Sequence, residues 1–119
     1  MQDNSMMREY RGVKELRYKN KVVANVFVAD TFVKRLLGYM FKHKPHYEAI
    51  LIKPCSSIHT FFMKFNIDVL FVDKDMKVVK KLEALKPGKI IAPVKGAAMV
   101  IEAPEGSFKN VAEGCFLKQ

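Results

Sequence analysis

The chain has 119 residues, half of them hydrophobic and 28% charged, with a formal net charge of +9. That length suits one domain whose folding buries about 60–70% of the surface of the unfolded chain, and the composition excludes both a disordered chain and a disulfide-stapled mini-protein. Its apolar runs, such as 49–52 and 67–72, fall far short of the roughly 20 residues a membrane-spanning helix needs, so no segment is expected to cross a bilayer.

Residues 1–12 are polar, carry Asp3, Arg8, Glu9 and Arg11, and lack the apolar stretch of a secretory signal. They are expected to attach loosely to a single domain spanning 1–119. Cys55 and Cys115 are the only cysteines, too few for a disulfide framework, so reduced thiols and a cytoplasmic protein are expected.

In chain order, 13–18 alternates, and Val22, Ala24, Val26 and Val28 alternate with Val23, Asn25 and Phe27, a period of two that predicts strands. Lys19-Asn20 between them is expected to form a tight hairpin turn, since asparagine tolerates positive φ. At Asp30-Thr31, two favourable N-cap residues, the period becomes helical: Phe32, Val33, Leu36, Leu37 and Met40 share a face, and Lys34 and Arg35 lie on the polar one. Gly38 is placed to end this short amphipathic helix, and Pro45 blocks any continuation.

Residues 47–53 are β-prone and stop at Pro54, and 67–72 is a nearly continuous apolar run of the kind found in central strands. Asp73-Lys74-Asp75 supplies turn chemistry before 77–85, which predicts a second hairpin. Pro87-Gly88 marks a turn, 90–92 a short strand and 96–102 a further strand, broken by Pro104-Glu105-Gly106. Ser107 is expected to cap a helical turn through Ala112, Gly114 to end it, and 115–117 to return as an edge segment. The expected fold is mainly β (α+β): a compact antiparallel β-barrel or sandwich with one short amphipathic helix and a C-terminal helical turn.

Positive charge is unevenly spread. Between Thr31 and Thr60, Lys34, Arg35, Lys42, Lys44 and Lys53 face the single acid Glu48, and Lys77, Lys80, Lys81, Lys86 and Lys89 form a second cluster broken by Glu83. Such clusters attract phosphates, so a basic nucleic-acid-binding module is one alternative, beside the commoner meaning of a solvated lysine-rich surface.

No residue set meets the demands of a recognisable catalytic or cofactor motif. Cys55 and His59 are four apart, a spacing that joins a thiol and its base on a helical turn, so a cysteine/histidine-dependent hydrolase or transferase is a second alternative. The plainer reading is a small buried cysteine and a histidine bonded to loop backbone. His43, His46, Cys55 and His59 do not match a known zinc or copper spacing, and the lysines around His43 oppose a cation. Met63 reads as core, and Asp73-Lys74-Asp75 lacks the glycine and distal glutamate of a calcium loop. No phosphate-binding loop, dinucleotide fingerprint or nucleophile elbow is present, and no cofactor or metal is expected.

The run from Ile58 through His59, Thr60, Phe61, Phe62, Met63, Lys64, Phe65, Asn66, Ile67 and Asp68 to Asp73 resembles the signature of the bacterial and archaeal family called domain of unknown function 192. Upstream, Arg35-Leu36-Leu37-Gly38-Tyr39-Met40 is similar to the family's Arg-x-x-Gly-Leu-Met helix end, and Met99 to Gly106 resembles its last core strand and turn. The likeness covers about residues 20–119. It departs at Gly88, where the family often has an aromatic, and at Gly114-Cys115, where it usually has Gly-Asp, so any ligand contact those residues make elsewhere is missing here. The resemblance implies a mainly β fold with short helices and no established activity.

His59, Thr60, Asn66 and Asp68 interrupt an apolar setting of Phe61, Phe62, Met63 and Phe65, so they must be paired: they either lock the loop or line a cleft. Arg35 is expected at the edge of that region, pairing with Asp68 or with an anionic ligand. The leading expectation is a non-enzymatic small-ligand-binding or interaction domain using Arg35, His59, Thr60, Asn66 and Asp68. Its partner would be a small polar or anionic ligand or a protein, without a membrane, and the chain would be a monomer or weak dimer.

Overall fold

The computed structural model describes residues 13–29, 39–40 and 47–118. Among the described residues eight strands form: β1 (Val13–Tyr18), β2 (Lys21–Ala29), β3 (Ala49–Ile52), β4 (Ile58–His59), β5 (Ile67–Val72), β6 (Val78–Leu85), β7 (Ile90–Ile91) and β8 (Met99–Pro104). Six of them make one sheet in the order β1-β2-β3-β8-β5-β6, and β4 and β7 make a separate two-stranded sheet.

Both predicted hairpins are present. β1 and β2 pair antiparallel around Lys19 and Asn20, whose φ angles of 51° and 64° are those of a two-residue turn matched to strand twist. β5 and β6 pair antiparallel across the Asp73–Met76 turn, where the Asp73 carboxylate accepts the amides of Asp75 and Lys77, both at 2.9 Å. Within β5 every residue is buried, because β6 and β8 flank it and apolar layers cover both its faces.

Three features of the expected architecture are corrected. The large sheet is open, not a closed barrel: Arg17↔Lys118 and Lys77↔Phe116 are isolated bridges, so the C-terminal segment spans the gap between β1 and β6 without forming a continuous ladder. The sheet is not wholly antiparallel, since β2 and β3 run parallel, an arrangement that a tight hairpin turn cannot join. The expected helical turn from Ser107 is a run of turns. Ser107 donates its hydroxyl back to the Pro104 carbonyl (2.6 Å) instead of accepting a forward amide, and Val111 N bonds Phe108 O three residues back (3.0 Å). The amphipathic helix expected over 30–40 lies outside the described residues, apart from Tyr39 and Met40, which sit in a turn.

Alternation along the strands divides the interior in two. On one face Val26, Leu51, Leu70 and Ile101 pack beneath Phe108, Val111 and Leu117; on the other Ile50, Ile67, Val69, Phe71 and Val100 pack beneath Tyr39, Ile58 and Met63. Full burial of such side chains contributes about 1.5–3 kcal/mol each, and this two-sided packing holds the sheet together without closure. Lys81 anchors the C-terminal turns to β6 by donating Nζ to the carbonyls of Phe108 (2.6 Å) and Val111 (2.7 Å).

Candidate functional site

The signature segment leaves β3 through residues 53–57, which are pinned to the 94–98 loop: Cys55 N donates to Ala98 O (3.0 Å) and Val94 N to Ser56 O (2.8 Å). β4 then pairs with β7, so that Ile58 opposes Ile91 and His59 opposes Ile90.

Thr60 fastens this small sheet. Fully buried, it donates Oγ1 to Lys86 O (2.7 Å) and accepts Lys89 N (2.8 Å), while its backbone N–H bonds Lys89 O (2.8 Å) and its carbonyl takes Gly88 N (3.0 Å). Gly88 follows Pro87 at φ +82°, the conformation that a proline-glycine turn gives to its third residue, so the turn is preset to meet Thr60.

Beyond Thr60 the chain turns outward. Phe62 adopts a φ of 65°, unusual for a bulky residue, and is 59% exposed; Phe61 is 39% and Ile90 70% exposed. His59 stacks on Phe61 with ring centroids 5.4 Å apart, and its Nδ1 accepts the Phe61 amide (3.2 Å), which puts the proton of the neutral imidazole on Nε2. Lys64, Lys86 and Lys89 are exposed in the same segments. The result is an aromatic and aliphatic patch with cations on the adjoining turns.

Asn66 and Asp68 serve a different part of the molecule. Asn66 Nδ2 donates to Glu105 Oε1 (3.1 Å), and the fully buried Asp68 accepts the amides of Ala84 (2.9 Å) and Gly106 (2.8 Å). Gly106, at φ +91°, turns its N–H toward that carboxylate. His59 and Thr60 therefore hold the 86–90 turn, whereas Asn66 and Asp68 tie β5 to β6 and to the 104–107 turn. Arg35 lies outside the described residues.

Cys55 and His59 do not sit on a helical turn, because bends and β4 occupy 53–59. Cys55 Sγ donates to Ser57 O (2.9 Å), and His59 Nδ1 is engaged by Phe61. Among the described residues no three His, Cys, Asp or Glu side chains are grouped to hold a metal; His43 and His46 fall outside them.

Sequence reasoning missed Glu102. It sits in β8 opposite Ile50 of β3 and Val69 of β5, on the face covered by Tyr39 and Met63. Among the described residues its buried Oε1 has no hydrogen-bond partner, and burial pushes its pKa up to about 8, so near neutral pH the carboxyl is largely protonated. The signal was one acid in the otherwise apolar run Met99 to Ala103, at a position that strand alternation places on the same face as Val100.

This fold and patch define a small, mainly β domain in which a signature loop is fastened over one face of an open sheet. Residues 14–117 match the family domain of unknown function 192, described as "Uncharacterized ACR", and the chain belongs to that family. It is 45% identical over 91 residues to a UPF0127 protein of Pyrococcus horikoshii, covering 72% of this chain and 77% of that one. A UPF0127 protein of Pyrococcus abyssi is 38% identical over 98 residues, 78% of this chain and 79% of its own. A crystal structure of a protein of unknown function from Novosphingobium aromaticivorans shares the fold with a TM-score of 0.74 at 14% identity, covering 90% of this chain and 85% of that one. Among the described residues no helix is long and apolar enough to cross a membrane.

Proposed function

We propose that this chain is a non-enzymatic, cytoplasmic interaction domain whose contact surface is the signature segment. The observation that carries this reading is the exposure of Phe61, Phe62 and Ile90 on a miniature sheet that the buried Thr60 holds in one geometry. An apolar patch on a rigid support is presented for contact at little ordering cost. His59 contributes an edge donor at Nε2, Thr60 fastens the start of the loop to the 86–90 turn, Asn66 and Asp68 fix the chain beyond it to β6 and the 104–107 turn, and Lys64, Lys86 and Lys89 favour an anionic ligand or an acidic protein partner, with Arg35 the further cation expected at its edge.

A binding reading is preferred to a cysteine-dependent one because Cys55 Sγ and His59 Nδ1 are each engaged with local backbone groups. The test is an amide-shift titration of the chain with organic anions and short acidic peptides, repeated on His59→Ala and on the double variant Phe62→Ser, Ile90→Ser. Shifts confined to 59–64 and 86–91 that vanish in the double variant are expected. Shifts mapping elsewhere, or turnover of an activated ester that depends on Cys55, would overturn the proposal.

A further inference from the structure

A second surface lies around the β1–β2 turn and the C-terminal segment. Two hollows open there. One, of about 140 Å³, is lined by Arg17, Lys19, Asn20, Phe116 and Lys118. The other, of about 300 Å³, has Tyr18, Lys21, Lys109 and Asn110 in its wall, over a floor that includes Val23 and Val111.

The lining carries five cations and no carboxylate. Arg17 is paired with Glu15 at 3.0 Å, but Lys19, Lys21, Lys109 and Lys118 make no ion pair among the described residues. Each hollow also has an aromatic side chain in its wall. Phe116 is 59% exposed although its backbone is held on both sides: Leu117 N bonds Met76 O (2.8 Å), and Arg17 and Lys118 exchange bonds of 2.7 and 2.9 Å. Hydrophobic burial does not account for an aromatic ring displayed on fixed backbone, and its neighbours are cations. Tyr18 is braced by Cys115 Sγ at 3.1 Å, with Lys19 Nζ 5.2 Å from its ring centroid.

We propose that this face binds single-stranded nucleic acid, with Phe116 as the stacking platform for a base and Lys19, Lys21, Lys109 and Lys118 contacting consecutive phosphates. Cations along a groove combined with an accessible aromatic face are what a flexible strand requires, since every base offers a ring and every linkage a charge. A duplex keeps its bases stacked on one another and offers no free ring face to Phe116, so it fits this face less well. The proposal is independent of the patch at Phe61 and Phe62.

The experiment is fluorescence anisotropy of the full chain with labelled dT12, U12 and a 12-base-pair duplex from 50 to 300 mM salt. Binding of the single strands is expected to fall with a log–log salt slope of about −2 to −3.5, the range for three to five neutralised phosphates on a single strand. Phe116→Ala, checked for an unchanged circular dichroism spectrum, should weaken it about tenfold, the loss of one stacked base. Lys19→Glu with Lys118→Glu should weaken it further and flatten the slope, and Phe62→Ser should leave it unchanged. A parallel readout is iodoacetamide labelling of Cys115, which dT12 should slow without slowing Cys55. Absent binding, equal affinity for the duplex or for heparin, or full affinity in Phe116→Ala would overturn the proposal; a difference between dT12 and U12 would identify the preferred strand chemistry within it.

Discussion

Glu102 and Tyr39 share one buried compartment on the loop-covered face of the sheet. Burial raises the pKa of both groups, and the charge that Glu102 would acquire on ionising raises that of Tyr39 further. Tyr39 escapes the cost by donating its hydroxyl to the Tyr47 carbonyl at 2.9 Å, whereas Glu102 Oε1 has no partner among the described residues, so the carboxyl is tolerated chiefly in its neutral form.

Stability should therefore depend on pH through Glu102. With a folded pKa raised from 4.5 to about 8, the native state holds a proton that the unfolded chain releases, so the contribution of Glu102 to stability is full below about pH 4.5 and is lost as pH rises through that interval. The loss should amount to a few kcal/mol, and Glu102→Gln should abolish most of it. Thermal midpoints recorded from pH 5 to 9 decide the matter: parallel curves for the two proteins would show that Glu102 is not buried as described.

Asp68→Asn is expected to destabilise by about 2–3 kcal/mol. The buried carboxylate accepts two backbone amides, from Ala84 and Gly106, and the carboxamide can accept with only one of its two atoms, leaving one N–H without a partner. Urea unfolding would measure the change, and a shift below about 0.5 kcal/mol would contradict the double contact.

Thr60→Val keeps the shape of the side chain while removing both bonds to the 86–89 turn. We expect a loss of about 1–3 kcal/mol together with faster amide exchange at Gly88 and Lys89. Unchanged exchange there would mean that the backbone bonds alone hold the turn.

The thiol of Cys115 should react faster with iodoacetamide at neutral pH than an unperturbed thiol of the same exposure. Its pKa is lowered chiefly by the hydrogen bond with the Tyr18 hydroxyl, helped by a backbone bond at Ala112 and by Lys19 and Lys81. Tyr18→Phe should remove most of the advantage, which a pH–rate profile of alkylation would reveal as a shift toward the ordinary thiol range.

The strands were legible where one local cue sufficed. Alternation located β1 and β2, Lys19-Asn20 marked their turn, and the uninterrupted 67–72 run identified a strand flanked on both sides. What could not be read locally was pairing between distant segments. Parallel registry of β2 with β3 depends on where the chain re-enters the sheet, and an open sheet differs from a barrel only by the spacing of a few bonds near Arg17 and Lys77. The candidate site divided in the same way. That His59, Thr60, Asn66 and Asp68 had to be paired followed from polar groups in apolar surroundings, but that they serve two separate turns required the positions of 86–89 and 104–107. Glu102 was marked only as the one acid in the apolar run 99–103, and its burial followed from β3 and β5 flanking β8 on either side, which no local cue supplies.

The bridge between Arg17 and Lys118 also bears on synthesis. It joins positions about a hundred residues apart, so during translation the bridging edge of the β1–β2 hairpin stays unmated until the segment around Lys118 has been made and can reach it. The interval before that segment docks is when the nascent chain is most open to pairing with a neighbour.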